Sequence, residues 1–334
     1  MSIASRQLTV LLQGPLFDGA VDLAGRAVES VRRFLPDAQI VLATTDITGV
    51  PPFEDVDFVA DGSAPYFEDV NGNVNNVNKL ISSMINGLSL VKREYCLKMR
   101  TDHVLCSDAV LSRMGGGAQG ELFVERVAVS NLFLRNPCLV PYLFHLTDTL
   151  QFGRTEDLRK LWGIDLLPHD FLFLPDGPRT NPFGTFQGFT SFRLLPEQAI
   201  FLRFAQRNGL KLDLEHISHT SFELFSAWEN LLAANFEIYD WQNLGIEPPK
   251  RFLSAPYAPE SVMTEWDLEI LRTQNSSLQK ALRYADLLIN KYLLCWFRRR
   301  WLVSVGSLLL FSFSSSAAVS VRNLYRRVSG AGRL

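Results

Sequence analysis

The sequence predicts an α/β fold, a mostly parallel sheet covered by helices, and three observations predict it. Short continuous apolar runs alternate with segments whose apolar residues recur at helical spacing. The runs end in turn-forming or polar residues, as buried strands do. The chain has 334 residues, 47% of them apolar and 20% charged, enough for a large core and unlike a disordered composition.

The elements follow in order. Leu8 to Leu12 is an apolar run closed by Gly14 and Pro15, read as a buried strand and turn. Residues 20–35 place Ala24, Val28, Val31 and Leu35 at helical spacing, and Pro36 ends that helix. Ile40 to Ala43 is a second strand, running into Thr44, Thr45 and Asp46, and Val56 to Ala60 is a third. Residues 76–91 carry Leu80, Met84, Leu88 and Val91 on one helical face, and Tyr95 to Met99 is a strand leading into Arg100, Thr101 and Asp102. In parallel sheets ligands bind outside the carboxyl ends of the strands. Gln13, Asp46 and Asp102 fall at those ends.

The second half is less regular. Gly115 to Gly120 is a loop of small residues, and Val127 to Leu134 reads as a strand. A helix is expected over 155–162, with Thr155 as its N-cap, acidic residues in its first turn and Gly163 beyond its end. Residues 164–190, rich in Pro, Gly and aromatics, read as an irregular insertion over the site, and Pro196 to Gln206 as a helix. Residues 1–245 are read as the catalytic domain, 246–265 as a Pro-rich linker, and 266–334 as a helical region ending in a membrane-associating tail. From Asp267 one long helix is expected, with Leu271, Leu278, Leu282, Ala285, Ile289, Tyr292 and Trp296 in period.

Charge is unevenly spread. After Asp286 there are eight basic residues and no acidic one, so within an overall net charge of −2 the rest of the chain holds −10. An acidic body would repel nucleic acid, and the cationic tail suits an anionic membrane surface. Trp301 to Val321 is uncharged and about long enough to span a bilayer, but seven serines dilute it and basic residues flank both ends. A tail lying in the interface ranks first, a helix docked on the body second and a full span third. The four cysteines, Cys96, Cys106, Cys138 and Cys295, have no Cys-x-x-Cys spacing, which argues against a zinc site or a disulfide scaffold. The N-terminus has no signal-peptide pattern. The expected location is the cytoplasmic face of the inner membrane.

Several polar residues could carry chemistry. In a strand, Lys98, Arg100 and Asp102 point to one side, two cations and a carboxylate together; a satisfied ion pair at a strand edge explains them equally well. Asn75, Asn78 and Lys79 begin a helix and could touch a phosphate or ribose, although an Asn-rich turn and N-cap accounts for them on pattern alone. His145 and Asp148 could form an acid/base or acceptor-binding pair, or a surface pair of no function. Glu197 stands at a helix start, where a carboxylate is favoured in any case.

These stretches resemble the WavE family of lipopolysaccharide-synthesis proteins. The matching segments, in order, are VLLQGPL (10–16), SVRRFLPDAQIVLAT (30–44), NNVNKLISSMINGL (75–88), YCLKMRTDH (95–103), FHLTDTLQFGRTEDLRKLW (144–162) and LPEQAIFLRF (195–204). The resemblance covers roughly residues 8–240 and leaves out the arginine-rich tail. It implies a GT-A-like, Rossmann-type glycosyltransferase that moves a sugar from a nucleotide-sugar donor to a glycan or lipid-linked glycan acceptor. It raises Asp102 as a metal or phosphate-site residue and lifts Asn78, Lys98, Arg100, Asp148 and Glu197 above their plainer readings.

The expected assignments are Gln13, Gly14, Asp46, Asn75, Asn78, Lys98 and Arg100 on the nucleotide sugar, and Asp102 on a divalent cation, Mn²⁺ or Mg²⁺. Asp148, Glu197 and His145 are the expected catalytic groups. Asp102 stands alone where GT-A enzymes often place an Asp-x-Asp pair. A membrane-bound scaffold without turnover is the non-enzymatic alternative. A sugar-nucleotide nucleotidyltransferase fits poorly, because QGPLFDG after the first strand lacks a basic residue.

Overall fold

The computed structural model describes residues 3–47, 53–68, 74–113, 118–174, 192–254, 259–297 and 299–328. Its centre is a seven-stranded sheet of β1 (Leu8–Gln13), β2 (Gln39–Thr44), β3 (Val56–Ala60), β4 (Tyr95–Arg100), β5 (Val127–Ser130), β6 (Leu150–Arg154) and β7 (Phe236–Tyr239). The spatial order is β7-β5-β6-β4-β1-β2-β3. All neighbours pair in parallel except β6, which runs antiparallel to β4 and β5. The expected α/β class is what the chain adopts.

Strand periodicity divides the core into two layers. Leu8, Val10 and Leu12 of β1 pack with Ala24, Ala27, Val28 and Val31 of helix α1 (Leu23–Phe34), while Leu11 faces Ile81, Met84 and Leu88 of α2 (Val77–Ser89). Burial on both faces is why β1 reads as an unbroken apolar run. Asp22 caps α1 by accepting from the Gly25 backbone N–H at 2.7 Å.

Helices α3 (Thr155–Trp162), α4 (Pro196–Arg207) and α5 (Phe222–Asn235) complete the α2 side, where Phe201, Phe204, Trp228 and Phe236 form an aromatic cluster. Thr155 does not cap α3. It lies inside the helix, and its hydroxyl donates to the Arg93 carbonyl at 2.7 Å, tying the helix to the chain before β4.

Two C-terminal expectations are corrected. The stretch read as a linker holds regular structure: Ile246–Glu247 pairs with Val104–Leu105 in a separate two-stranded sheet, and Lys250–Leu253 forms a 3₁₀ turn in which Phe252 is buried. The single helix expected from Asp267 is two, α6 (Glu265–Thr273) and α7 (Ser277–Tyr292), each closed at its start by a capping box, on Thr264 and Ser276. The second cap starts a new helix. The buried face is therefore Leu268, Leu271 and Leu287, and Leu278 and Leu282 stay exposed. Arg283 pairs with Glu229 of α5 at 2.7 Å, so these helices belong to the body.

Beyond them lie α8 (Arg299–Phe313) and α9 (Ser315–Val328). Backbone bonds from Ser314 to Leu310 and from Ala318 to Ser314, both 2.9 Å, carry the ladder across their junction. Among the described residues no helix is long and apolar enough to cross a membrane.

Candidate active site

The carboxyl edge of the sheet opens into a cleft of about 670 Å³. Each wall is placed by a strand end. Gln13 ends β1 and Gly14 follows it, Thr45 and Asp46 follow β2, Arg100 ends β4, and Asp148 precedes the antiparallel β6. The N-termini of α2 and α4 close the remaining sides, with Asn75, Lys79, Pro196 and Glu197. Two helix starts directed at one cleft favour an anionic ligand.

Of the residues singled out in the sequence, Gln13, Gly14, Asp46, Asn75, Arg100, Asp148 and Glu197 line this cleft. Gly14 has φ +147°, and a Cβ there would sit 2.5 Å from Thr101 Oγ1, so glycine is what lets the turn after β1 pass against β4. Gln13 Nε2 donates to Ser83 at 3.0 Å, while its Oε1 is buried with no hydrogen-bond partner among the described residues. Asn75 accepts from the Val77 N–H at 3.0 Å and so shapes the entry into α2.

Four expected site residues are not on the cleft wall. Asn78 is fully buried and clasps the backbone of Leu167, donating to its carbonyl at 3.0 Å and accepting its N–H at 2.8 Å. Lys98 is likewise fully buried. Its ammonium donates to the Asp148 carbonyl, lies 3.8 Å from the Asp148 carboxylate and sits over the Trp162 ring. Burial lowers its pKa to about 8, with the Asp148 charge opposing the shift. Lys98 thus holds the Asp148 loop in place from behind. Antiparallel pairing of Gln151 with Lys98 fixes that relation.

His145 is also enclosed, edge-on to Phe133 at 4.9 Å, with Nε2 3.6 Å from the Glu197 carboxylate. Burial, together with the nearby Arg135 charge, lowers its pKa to about 3. A neutral imidazole of that kind cannot serve as a proton acceptor near pH 7, so its place is behind Glu197. Glu197 itself is 16% exposed at its side chain. Burial and the Asp148 charge raise its pKa to about 7, against the pull of its own helix-start N–H and of Arg135 and Arg100.

Asp102 does not fit a metal ligand. Its Oδ1 accepts from Arg100 Nε at 3.0 Å and contacts His103 Nδ1 at 2.8 Å. Its Oδ2 accepts from the second Arg100 nitrogen at 2.9 Å and from Arg251. An ionised carboxylate has about four acceptor positions, and here all are taken. Burial would raise its pKa, but the hydrogen bonds from His103 and Arg100 and the Arg100 charge outweigh it and hold the carboxyl far below the usual range. Among the described residues no three His, Cys, Asp or Glu side chains converge on a cation site.

Sequence reasoning missed Phe133, Arg251 and Phe252, all on the cleft wall. Phe133 holds φ +62°, a left-handed backbone that is unusual for an aromatic residue. No sequence signal marks it. Arg251 has one, a basic pair inside PPKRF, but the prolines around it give the stretch the pattern of a linker.

Fold and site together define an α/β protein with a polar, mixed-charge cleft at the carboxyl edge of a mostly parallel sheet. The chain belongs to the family described as WavE lipopolysaccharide synthesis, whose model matches residues 8–299. No curated protein matches it. Among solved structures, one similar chain is a Drosophila β1,4-galactosyltransferase 7 mutant in complex with manganese, UDP-Gal and xylobiose. It is 13% identical with a TM-score of 0.28, over 64% of this chain and 71% of that one. Another is the apo form of the glycosyltransferase GlyE of Streptococcus pneumoniae, 9% identical with a TM-score of 0.35, over 86% of this chain and 64% of that one. Likenesses of that size define no shared site.

Proposed function

We propose that the protein is a GT-A-like glycosyltransferase of lipopolysaccharide or related surface-glycan assembly, using a nucleotide-sugar donor and a lipid-linked acceptor. The observation that carries this reading is the cleft, which sets the cations Lys79, Arg100 and Arg251 and the carboxylates Asp148 and Glu197 around one space. Transfer needs both. The acceptor hydroxyl oxygen bonds to the anomeric carbon, the bond from that carbon to the phosphate oxygen breaks, and its electron pair leaves with the nucleotide. Cations stabilise that leaving charge, and the hydroxyl proton passes to a carboxylate.

Glu197 is the proton acceptor in this reading, because its pKa of about 7 lets it exchange a proton near neutrality. Burial raises that pKa, the Asp148 charge adds to the rise, and Asp148 contacts the acceptor. Gln13 and Asp46, at the far strand ends, face the base and ribose. His145, enclosed beside Glu197, is a positioning residue.

The exposed apolar residues Phe297, Leu302, Leu309, Phe313 and Leu324 near and within α8 and α9 support a tail that rests on an anionic membrane, on the cytoplasmic face where nucleotide sugars are available. The test is a thermal-shift screen against UDP-, GDP-, CMP- and dTDP-sugars, each with EDTA, Mg²⁺ or Mn²⁺. Selective stabilisation by one donor class is the expected result, since a ligand of the native state raises Tm by mass action. No shift with any donor under any condition would remove the transferase reading.

A further inference from the structure

We propose that Arg100 and Arg251, yoked by Asp102, form a guanidinium clamp that binds the donor's pyrophosphate and takes the place of a divalent cation. The inference rests on the transferase reading and names how its leaving group is held.

The geometry is that of a built device. Asp102 is 5% exposed and receives Arg100 through a two-nitrogen fork, which fixes the plane of that guanidinium. The same carboxylate receives Arg251 from the 3₁₀ turn Lys250–Leu253, a segment 149 residues further along the chain. Phe252 lies beneath both cations, 5.7 Å from Arg100 and 5.4 Å from Arg251, and its ring packs 5.7 Å from His103. His103 is buried and braces Asp102 from behind. Two guanidinium groups would repel each other without the carboxylate between them. With it, the unit of Arg100, Asp102 and Arg251 carries a net +1 and presents both arginines on the cleft wall.

Each arginine keeps exposed surface, 23% for Arg100 and 34% for Arg251, whereas the carboxylate keeps almost none. A ligand in the cleft therefore meets guanidinium, not carboxylate. Guanidinium forks match phosphate oxygens in shape and charge. Lys79 and the start of α2 face the same space. A divalent ion coordinated by Asp102 would have to displace at least one of its four donors.

The test uses the full-length protein and inorganic pyrophosphate as probe, followed by isothermal titration in EDTA and then in Mg²⁺ or Mn²⁺. The clamp predicts saturable binding in EDTA that changes less than threefold on adding metal. It predicts at least a tenfold loss in Arg251→Ala and partial recovery in Arg251→Lys. Electron paramagnetic resonance of Mn²⁺ alone with the protein is expected to show no bound signal that Asp102→Asn removes. Pyrophosphate binding that requires metal, or an Asp102-dependent Mn²⁺ signal, overturns the clamp while leaving the transferase reading in place. UDP, GDP, CMP and dTDP are titrated beside it. Absence of binding by pyrophosphate and all four nucleotides, with and without metal, overturns both. Arg251 is partly exposed and on a surface turn, so its variants are expected to fold, and the wild-type EDTA comparison needs no variant at all.

Discussion

At the scale of single residues, the site is governed by what burial does to charge. Glu197 carries the sharpest consequence. Its folded-state pKa lies above the ordinary carboxylate value, at about 7. A raised carboxyl pKa means the folded protein holds the proton more tightly than the unfolded chain. The associated stability is fully present below about pH 4.5 and is lost as pH rises through about 7. Glu197→Gln removes that dependence. The variant is expected to melt a few degrees above the wild type at pH 8 and to match it near pH 4, by differential scanning fluorimetry; about 1 kcal/mol moves Tm by roughly 1–2 °C at this chain length. Its kcat is expected to fall about 10²–10⁴-fold, and the wild-type rise in rate through pH 7 to disappear. A Glu197→Gln enzyme with unchanged turnover would assign the proton transfer elsewhere.

Elements explain why neighbouring residues in one motif part company. Asn75 and Asn78 both begin α2, yet Asn75 precedes the helix and faces the cleft, while Asn78, one position into the first turn, points to the 164–168 segment. The two have separate jobs. Asn78→Ala is expected to cost about 1–3 kcal/mol by urea unfolding, because the buried Leu167 N–H and carbonyl lose their partner. Nucleotide affinity of the folded variant should stay within threefold. A large loss of affinity without a loss of stability would return Asn78 to the ligand. Lys98 and Arg100 divide in the same way. Both point to one side of β4, but Lys98 is a register position covered by β6 and Trp162, and Arg100 is the last residue of the strand.

At the scale of the whole molecule, the acidic body and the cationic apolar tail follow one another along the chain. Helices α6 and α7 are part of the body through Leu268, Leu271, Leu287 and the Arg283–Glu229 pair. Helix α8 begins at residue 299, where the family match ends. A chain ending at residue 297 is expected to keep its melting temperature within about 2 °C and to bind nucleotide as the full chain does. It should lose sedimentation with vesicles containing phosphatidylglycerol. Binding of the full chain to those vesicles should weaken as salt is raised, because screening acts on the tail's cations. Equal sedimentation of both chains, or none by either, would remove the tail from membrane attachment.

The sequence by itself determined the layered α/β body, because strands buried on both faces must be continuous apolar runs and the helices over them must repeat at 3.6. It also placed Gln13, Asp46 and Asp102 at the carboxyl ends of strands, which in a parallel sheet share an edge. Which polar residues reach ligand was decided only in three dimensions. Lys98, Asn78 and Asp102 differ from Arg100 and Asn75 by what covers them, and the covering groups, Trp162, Leu167 and Arg251, come from 64, 89 and 149 residues away respectively. The proline-rich stretch around Arg251 reads as a linker because proline marks a chain that leaves regular structure. Only packing against His103 and Arg100 makes it a wall of the site. Burial and pairing across such separations are properties of the folded chain, and local pattern does not encode them.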